Sequence, residues 1–280
     1  MTKKKIIICA DDFALTPGVS NGICKLISES RISAVSCMTA TNFWESCCSK
    51  LTRFKNKIDI GLHFTLTRYA PLGRMPKLAP FGKFPSFETI FKLALRRQLD
   101  IDEIRSELHR QVDAFENELG RLPDFIDGHE HVQQLPIIRD ALIDVVQKRF
   151  KTGTCWIRVA WTSPVEIFKR RYEIVRSIGF ALAGLKLRNK AISYKIPVNN
   201  GLGGVYDFSS TELYCNVMKK SLQHGSERLL IITHPGMIDP MLTEIDGVST
   251  AREWEMKYLL SDEFLKTLQE FGLKTGRFFK

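Results

Sequence analysis

Two aspartates stand side by side, Asp11 and Asp12, directly after the apolar run IIICA at residues 6–10. Adjacent carboxylates repel one another at neutral pH, and burial would raise the pKa of one of them strongly. A divalent cation relieves that repulsion. If it binds one carboxylate, the other is free to take a proton from the ion's water. The plainer account is that one Asp caps the next helix and the other is solvated. His63 lies in DIGLHFTL, where a lone His is ordinarily a hydrogen-bonded core residue. His129 and His131 lie in DGHEHV. Imidazoles two apart on an extended segment point the same way, so both would line one site. A single ligand oriented by Asp127 is an equal alternative. Together, Asp12, His63 and His129 would make a three-ligand open site of the kind that holds catalytic zinc. His234 precedes Pro235 and Gly236; it is either a proton donor near neutral pH or part of a turn. Arg158 follows the apolar stretch TCWIRVAW and would orient Asp11, bind substrate or form a structural ion pair.

These residues need elements to bring them together. KKIIICA, ISAVSCMTA, KIDIGLHFTL, DFIDGHEHV, TCWIRVAW and ERLLIITHPG read as strands. Helical patterns fall between them. Thr16 with Pro17 opens a helix carrying Val19, Ile23 and Ile27. NFWESCCSKLTRF reads as helical. Asp100, with Glu103 three residues on, reads as a capping box for a helix that Gly120 stops. Pro136 opens another helix, and DEFLKTLQEF is the last clear one. Strands alternating with helices imply a parallel sheet with crossover helices, an α/β fold. Asp11, Asp12, His63, Asp127, His129, Arg158 and His234 all sit at or just after strand C-terminal ends, which converge on one face in such folds.

The 280 residues, 44% hydrophobic and 26% charged, are ordinary globular composition for one large core. The net charge of +10 favours an anionic partner. No stretch reaches transmembrane length, and Asp11 cuts off the first apolar run well short of a signal-peptide core. Seven scattered cysteines without a CxxC read as reduced thiols in a cytoplasmic protein. No nucleic-acid-reading motif is present.

The order and spacing of ADDFALTPGV, IGLHFTL, PDFIDGHEHVQQLP and ITHPG resemble the YdjC-like carbohydrate deacetylases, which include chitooligosaccharide deacetylases and hopanoid-biosynthesis-associated members. STAREWEMKYLLSDEF is similar to that family's C-terminal segment. The resemblance implies a distorted (β/α) barrel of parallel strands over residues 1–280 as a single domain. It implies metal-dependent removal of N-acetyl groups from an amino sugar or glycan. Asp12, His63 and His129 would hold one divalent ion, zinc or magnesium. Asp11 would be the general base and His234 the general acid, with Asp127, His131 and Arg158 contacting substrate or supporting the ligands. Departures are Ala14 for the family's usual Gly, and Glu130 and Gln133 for two His. A Gly-to-Ala change is strained if φ is positive there. The competing functions are a phosphoesterase on the same scaffold and a non-catalytic sugar- or lipid-binding relative.

An insertion at about 163–205 has no family reading. Val165, Phe168, Tyr172, Val175, Ile178, Leu182 and Leu185 make a helical stripe among seven basic residues and two Glu in 165–190. Such a stretch packs as a surface helix on the barrel or lies on an anionic membrane, which would place the protein at the inner membrane surface with a lipid-linked substrate. Gly179 and Gly184 weaken a long helix there, and NNGLGG reads as a flexible loop near the site. A homo-oligomer is a further expectation.

Overall fold

A computed structural model describes residues 3–208, 214–223, 226–245 and 248–279. Eight strands, all paired in parallel, build the sheet: β1 (Lys4–Phe13), β2 (Ala34–Cys37), β3 (Asp59–Phe64), β4 (Phe125–Gly128), β5 (Trp156–Ile157), β6 (Leu202–Gly203), β7 (Leu230–Thr233) and β8 (Leu273–Thr275). Their order is β5-β4-β3-β2-β1-β7-β6, with β8 pairing the start of β1. The result is a half-barrel wrapped by helices, the distorted α/β barrel expected from the motifs. Between β5 and β6 the backbone contributes one bridge, Ile157 to Val198. Side chains lace the rest of that seam. Asn199 pairs with both the N–H and the carbonyl of Val159, at 2.7 and 2.9 Å. The Thr162 hydroxyl accepts from Leu202 N at 2.9 Å.

β1 is apolar because it is central: Ile6, Ile7, Ile8, Cys9 and Ala10 are all buried. Inside the curve, Trp156 stacks between Phe125 and Phe278, at ring-centroid separations of 4.2 and 5.0 Å. Thr16 caps the first helix (Pro17–Ser28), accepting from Val19 N, and Val19, Ile23 and Ile27 are its buried face, as expected. The helix Ile101–Leu119 is capped by Asp100 and stopped by left-handed Gly120. Its capping box is only half formed. The Glu103 carboxylate accepts from Lys77 N and Leu78 N, at 2.8 and 3.1 Å, and so anchors the preceding loop.

The segment after β5 departs from expectation in two ways. The stripe at 165–190 is split into two helices, Pro164–Arg170 and Ile174–Ser193, by left-handed Arg171 (φ 50°) and Glu173 (φ 45°). The stretch NNGLGG carries the two-residue edge strand Leu202–Gly203 and is buried except at Asn200, in place of a flexible loop. All seven cysteines are free, as the spacing predicted, and no helix among the described residues is long and apolar enough to cross a membrane.

Candidate active site

A cavity of about 600 Å³ opens at the C-terminal ends of the strands. Asp11, Asp12, His63, His129, His131 and His234 all line it. The structure therefore brings together six residues drawn from β1, β3, the segment after β4 and the turn after β7. Neighbouring residues of a regular strand face opposite sides, so two consecutive aspartates should not share a cavity. The register of β1 against β2 slips between Ala10 and Phe13, and Asp12 adopts φ 65°. This bulge re-aims Asp12 so that both carboxylates reach one space. Ala14 follows at φ 70°. The Gly-to-Ala departure therefore does fall at a left-handed position, where a Cβ costs roughly 1 kcal/mol.

Behind the cavity lies a closed network of charge. Arg158, with no exposed surface, holds Asp11 bidentately at 2.5 and 2.6 Å, and its Nη2 reaches Asp127 Oδ2 at 2.6 Å and Cys9 Sγ at 3.1 Å. Arg158 and Asp127 lie outside the cavity lining and hold the residues that line it. Burial would raise the pKa of Asp11, but the guanidinium outweighs it and holds the carboxylate at about 2. Cys9, Asp11 and Asp127 are the one group of three metal-type donors within 4.8 Å of one another among the described residues. Arg158 contacts all three, so the cation of that cluster is the guanidinium.

The His63 ring is fixed at both nitrogens. Nδ1 meets Asp127 Oδ1 at 2.7 Å and the Ser36 hydroxyl at 3.0 Å; Nε2 faces Asp12 Oδ1 at 3.3 Å. Burial works to lower its pKa, but Asp127 and Asp12 overcome this and push it up to about 10. The other oxygen of Asp12 accepts from Arg252 Nη2 at 2.7 Å, and burial is again outweighed, so its pKa falls well below the usual carboxylate range. His129 Nδ1 bonds the Thr67 hydroxyl at 2.7 Å; burial lowers its pKa, with Asp12 opposing. The His63 and His129 rings meet edge to face, 5.7 Å between centroids.

His131 lines the cavity beside His129 as expected, but not for the expected reason. Residues 129–134 form a 3-10 turn in which Glu130 (φ 53°) and His131 (φ 58°) are left-handed, so the HEH run is not extended and its two rings do not share a side by strand alternation. His131 packs edge-on against Phe180, and its Nδ1 has no hydrogen-bond partner among the described residues. Burial, then Arg158, lowers its pKa to about 3.

His234 Nε2 lies 3.9 Å from Asp11 Oδ2. Its backbone N–H donates to the buried Glu255 at 2.5 Å, and Glu255 also accepts from the Tyr206 hydroxyl at 2.7 Å. The Arg252 guanidinium reaches the His234 carbonyl at 3.3 Å. Arg252 and Glu255 sit on consecutive turns of the helix Ser249–Leu260, and neither was singled out as a site residue from the sequence. The available signal was a buried Arg and Glu three apart among Ala251, Met256 and Leu259.

A family described as YdjC-like protein matches residues 5–270. The chain belongs to that family. The chitooligosaccharide deacetylase of Serratia marcescens is 34% identical over 283 residues, covering 99% of this chain and 98% of its own. That of Proteus mirabilis is 25% identical, covering 98% and 97%. Among solved structures, a candidate cellobiose-phosphate cleavage protein of Enterococcus faecalis superposes over 99% of this chain and 98% of its own with a TM-score of 0.74 at 20% identity, a likeness of fold.

Proposed function

We propose that this YdjC-like protein is a metal-dependent carbohydrate N-deacetylase that hydrolyses the acetamide of an N-acetylated amino sugar or glycan. The relatives named as chitooligosaccharide deacetylases support the substrate class. The observation that carries the chemistry is the donor set on the cavity wall. His63 and His129 each have Nδ1 engaged, by Asp127 with Ser36 and by Thr67, which leaves Nε2 as the remaining ring nitrogen. That is how metal-binding imidazoles are oriented. Asp12 Oδ1 and His63 Nε2 lie 3.3 Å apart, matching the roughly 3.3 Å between two ligands of a tetrahedral ion with bonds of about 2.0–2.1 Å. Two imidazoles and one carboxylate suit zinc, and magnesium less well.

Asp12 and His63 would hold the ion, and His129, on the same cavity wall but not within 4.8 Å of both, would have to swing in to complete the set. The ion when bound supplies an acidified water and a Lewis acid for the acetyl carbonyl. His63 would give up its Nε2 proton to serve, so loading releases a proton. Asp11 accepts the proton from the attacking water. Arg158 keeps Asp11 ionised throughout the working pH range and fixes its orientation, at some cost in basicity. His234, 3.9 Å from Asp11, donates a proton to the leaving amine. Gly204, Val205 and Tyr206 also line the cavity, where they would meet the sugar.

Acetate release from N-acetylated chitooligosaccharides, measured beside bound metal, tests this reading. Asp11→Asn should lower turnover by on the order of 10²–10⁴ with metal retained. His63→Ala and His129→Ala should each lose metal together with activity, and His131→Ala should lose less. Phosphate release from sugar phosphates without acetate release would move the protein to another hydrolase class. Unchanged metal content in both His63→Ala and His129→Ala would remove the ligand set.

A further inference from the structure

The two helices at 164–193 present an unusual surface. The longer helix docks on the barrel through Ala181, Gly184, Leu187 and Ala191. A Cβ on Gly184 would lie 2.6 Å from Gln134 Oε1 and 2.7 Å from Trp161 N, so the small residue permits the close approach. The larger apolar residues face water instead: Val175 is 86% and Leu182 67% exposed, with Val165 and Phe168 exposed on the shorter helix. Around them stand Lys169, Arg171 and Lys186, whose side chains have no acceptor or ion partner among the described residues. Arg176 and Lys190 are paired, with Glu173 and Asp140.

Between the short helix and the helix Tyr214–Leu222 is a concavity of about 780 Å³, lined by Val165, Phe168, Lys169, Arg170, Arg171 and Lys220, with Gln223 at its edge. No carboxylate lines it among the described residues. Arg170 is only 9% exposed. Its Nη1 donates to Leu202 O at 2.5 Å, while Nε and Nη2 have no hydrogen-bond partner among the described residues. Glu166 lies close enough to act on the Arg170 charge, but the two donors without a hydrogen bond still suit two oxygens of a phosphate.

We propose that residues 164–193 form a docking face for anionic phospholipid, in which the Arg170 concavity receives a lipid phosphate and Val165, Phe168, Val175 and Leu182 enter the interfacial layer. Free phosphate would satisfy the concavity but leaves the exposed apolar row without a purpose. A second copy of the chain is disfavoured by charge. In a two-fold interface this face would meet itself, setting Lys169, Arg171 and Lys186 against their own copies. Arg176 and Phe180 of the same helix line the catalytic cavity, so docking brings the mouth of the site close to the lipid surface. The proposed deacetylation enters only here, in suggesting that the glycan substrate is lipid-linked; the docking itself is independent of it.

Co-sedimentation of the full chain with vesicles tests the proposal. Binding is expected to equal mixtures of phosphatidylglycerol and phosphatidylcholine, with at least about tenfold weaker binding to phosphatidylcholine alone and on raising salt from 20 to 300 mM. The combined Lys169→Glu, Arg171→Glu, Lys186→Glu variant touches only surface groups and should bind at least about tenfold less. Leu182→Asp should also weaken binding, and so should Arg170→Gln if it folds. Acetate release from a soluble chitooligosaccharide should stay within about twofold of the parent in the surface variants. No binding to phosphatidylglycerol vesicles at low salt overturns the proposal. So does equal binding by the triple variant and Leu182→Asp, or inorganic phosphate binding at Arg170 with no vesicle binding. A dimer that Leu182→Asp converts to monomer, without vesicle binding, would assign the face to self-association. Failure of acetate release in the parent would sink the deacetylase reading and leave the vesicle result standing.

Discussion

The strand ends and the helix Ile174–Ser193 treat charge in opposite ways. At the strand ends, Asp11, Asp127, Arg158 and His63 are enclosed and satisfied mainly by one another. On the helix, Lys186 and the neighbouring Lys169 and Arg171 are exposed and have no partner among the described residues, beside apolar side chains that are exposed too. An enclosed network costs desolvation and returns fixed orientation. An exposed one holds no geometry and serves contact. The molecule therefore separates a region that holds side chains in fixed positions from a region that leaves them exposed.

The sharpest way to break this comparison is to remove the central cation. Arg158→Met leaves Asp11 and Asp127 buried without compensation and should cost on the order of 3–5 kcal/mol in a denaturant titration. A cost under about 1 kcal/mol would mean the network is not enclosed. Acid probes the same network more gently. The folded pKa of Asp11, at about 2, lies below its ordinary value of 3.8. A depressed carboxylate contributes stability that is present above its unfolded pKa and lost as pH falls through the folded one. Stability should thus drop between about pH 4 and pH 2, by about 2 kcal/mol for this group, and a flat profile there would contradict the pairing.

On the helix, two glycines give opposite signs. Gly184→Ala should destabilise by roughly 1–2 kcal/mol because its Cβ meets the Trp161 backbone. Gly179→Ala, with nothing within 4 Å of the new atom, should stabilise by roughly 0.5–1 kcal/mol. Thermal melts of the two variants would separate a docked face from a free one. The smallest effect belongs to Lys186→Ala, within about 0.5 kcal/mol of the parent, in contrast to Arg158.

Where the site was legible, residue type and position sufficed. Carboxylates and imidazoles at the ends of apolar runs could be placed on one face because parallel topology leaves few alternatives. What escaped was partnership across distance. Arg252 meets Asp12, and Glu255 meets His234, across 240 and 21 residues, and no local pattern encodes either pairing. Local backbone reversals were also hidden: Asp12, Glu130 and His131 are left-handed without glycine, so strand alternation put His131 at the cavity for the wrong reason. The stripe at 175, 178, 182 and 185 was read as a periodic face, yet periodicity does not say which face is buried. The competing row of Ala181, Gly184, Leu187 and Ala191 took the barrel because small residues let the helix come closer.

One feature of the sheet has a consequence in time. β1 is paired on one side by β2, which begins at Ala34, but its pairing with β7 waits for Leu230 and that with β8 for Leu273. At roughly 5–20 residues per second of synthesis, the central strand emerges on the order of ten to fifty seconds before those partners exist. Through that interval the Ile6-Ile7-Ile8 run has an unfilled edge, the kind that recruits other chains. β2 covers the opposite edge of β1 and cannot close this one, so the oldest strand must stay clear of other chains until the youngest ones arrive.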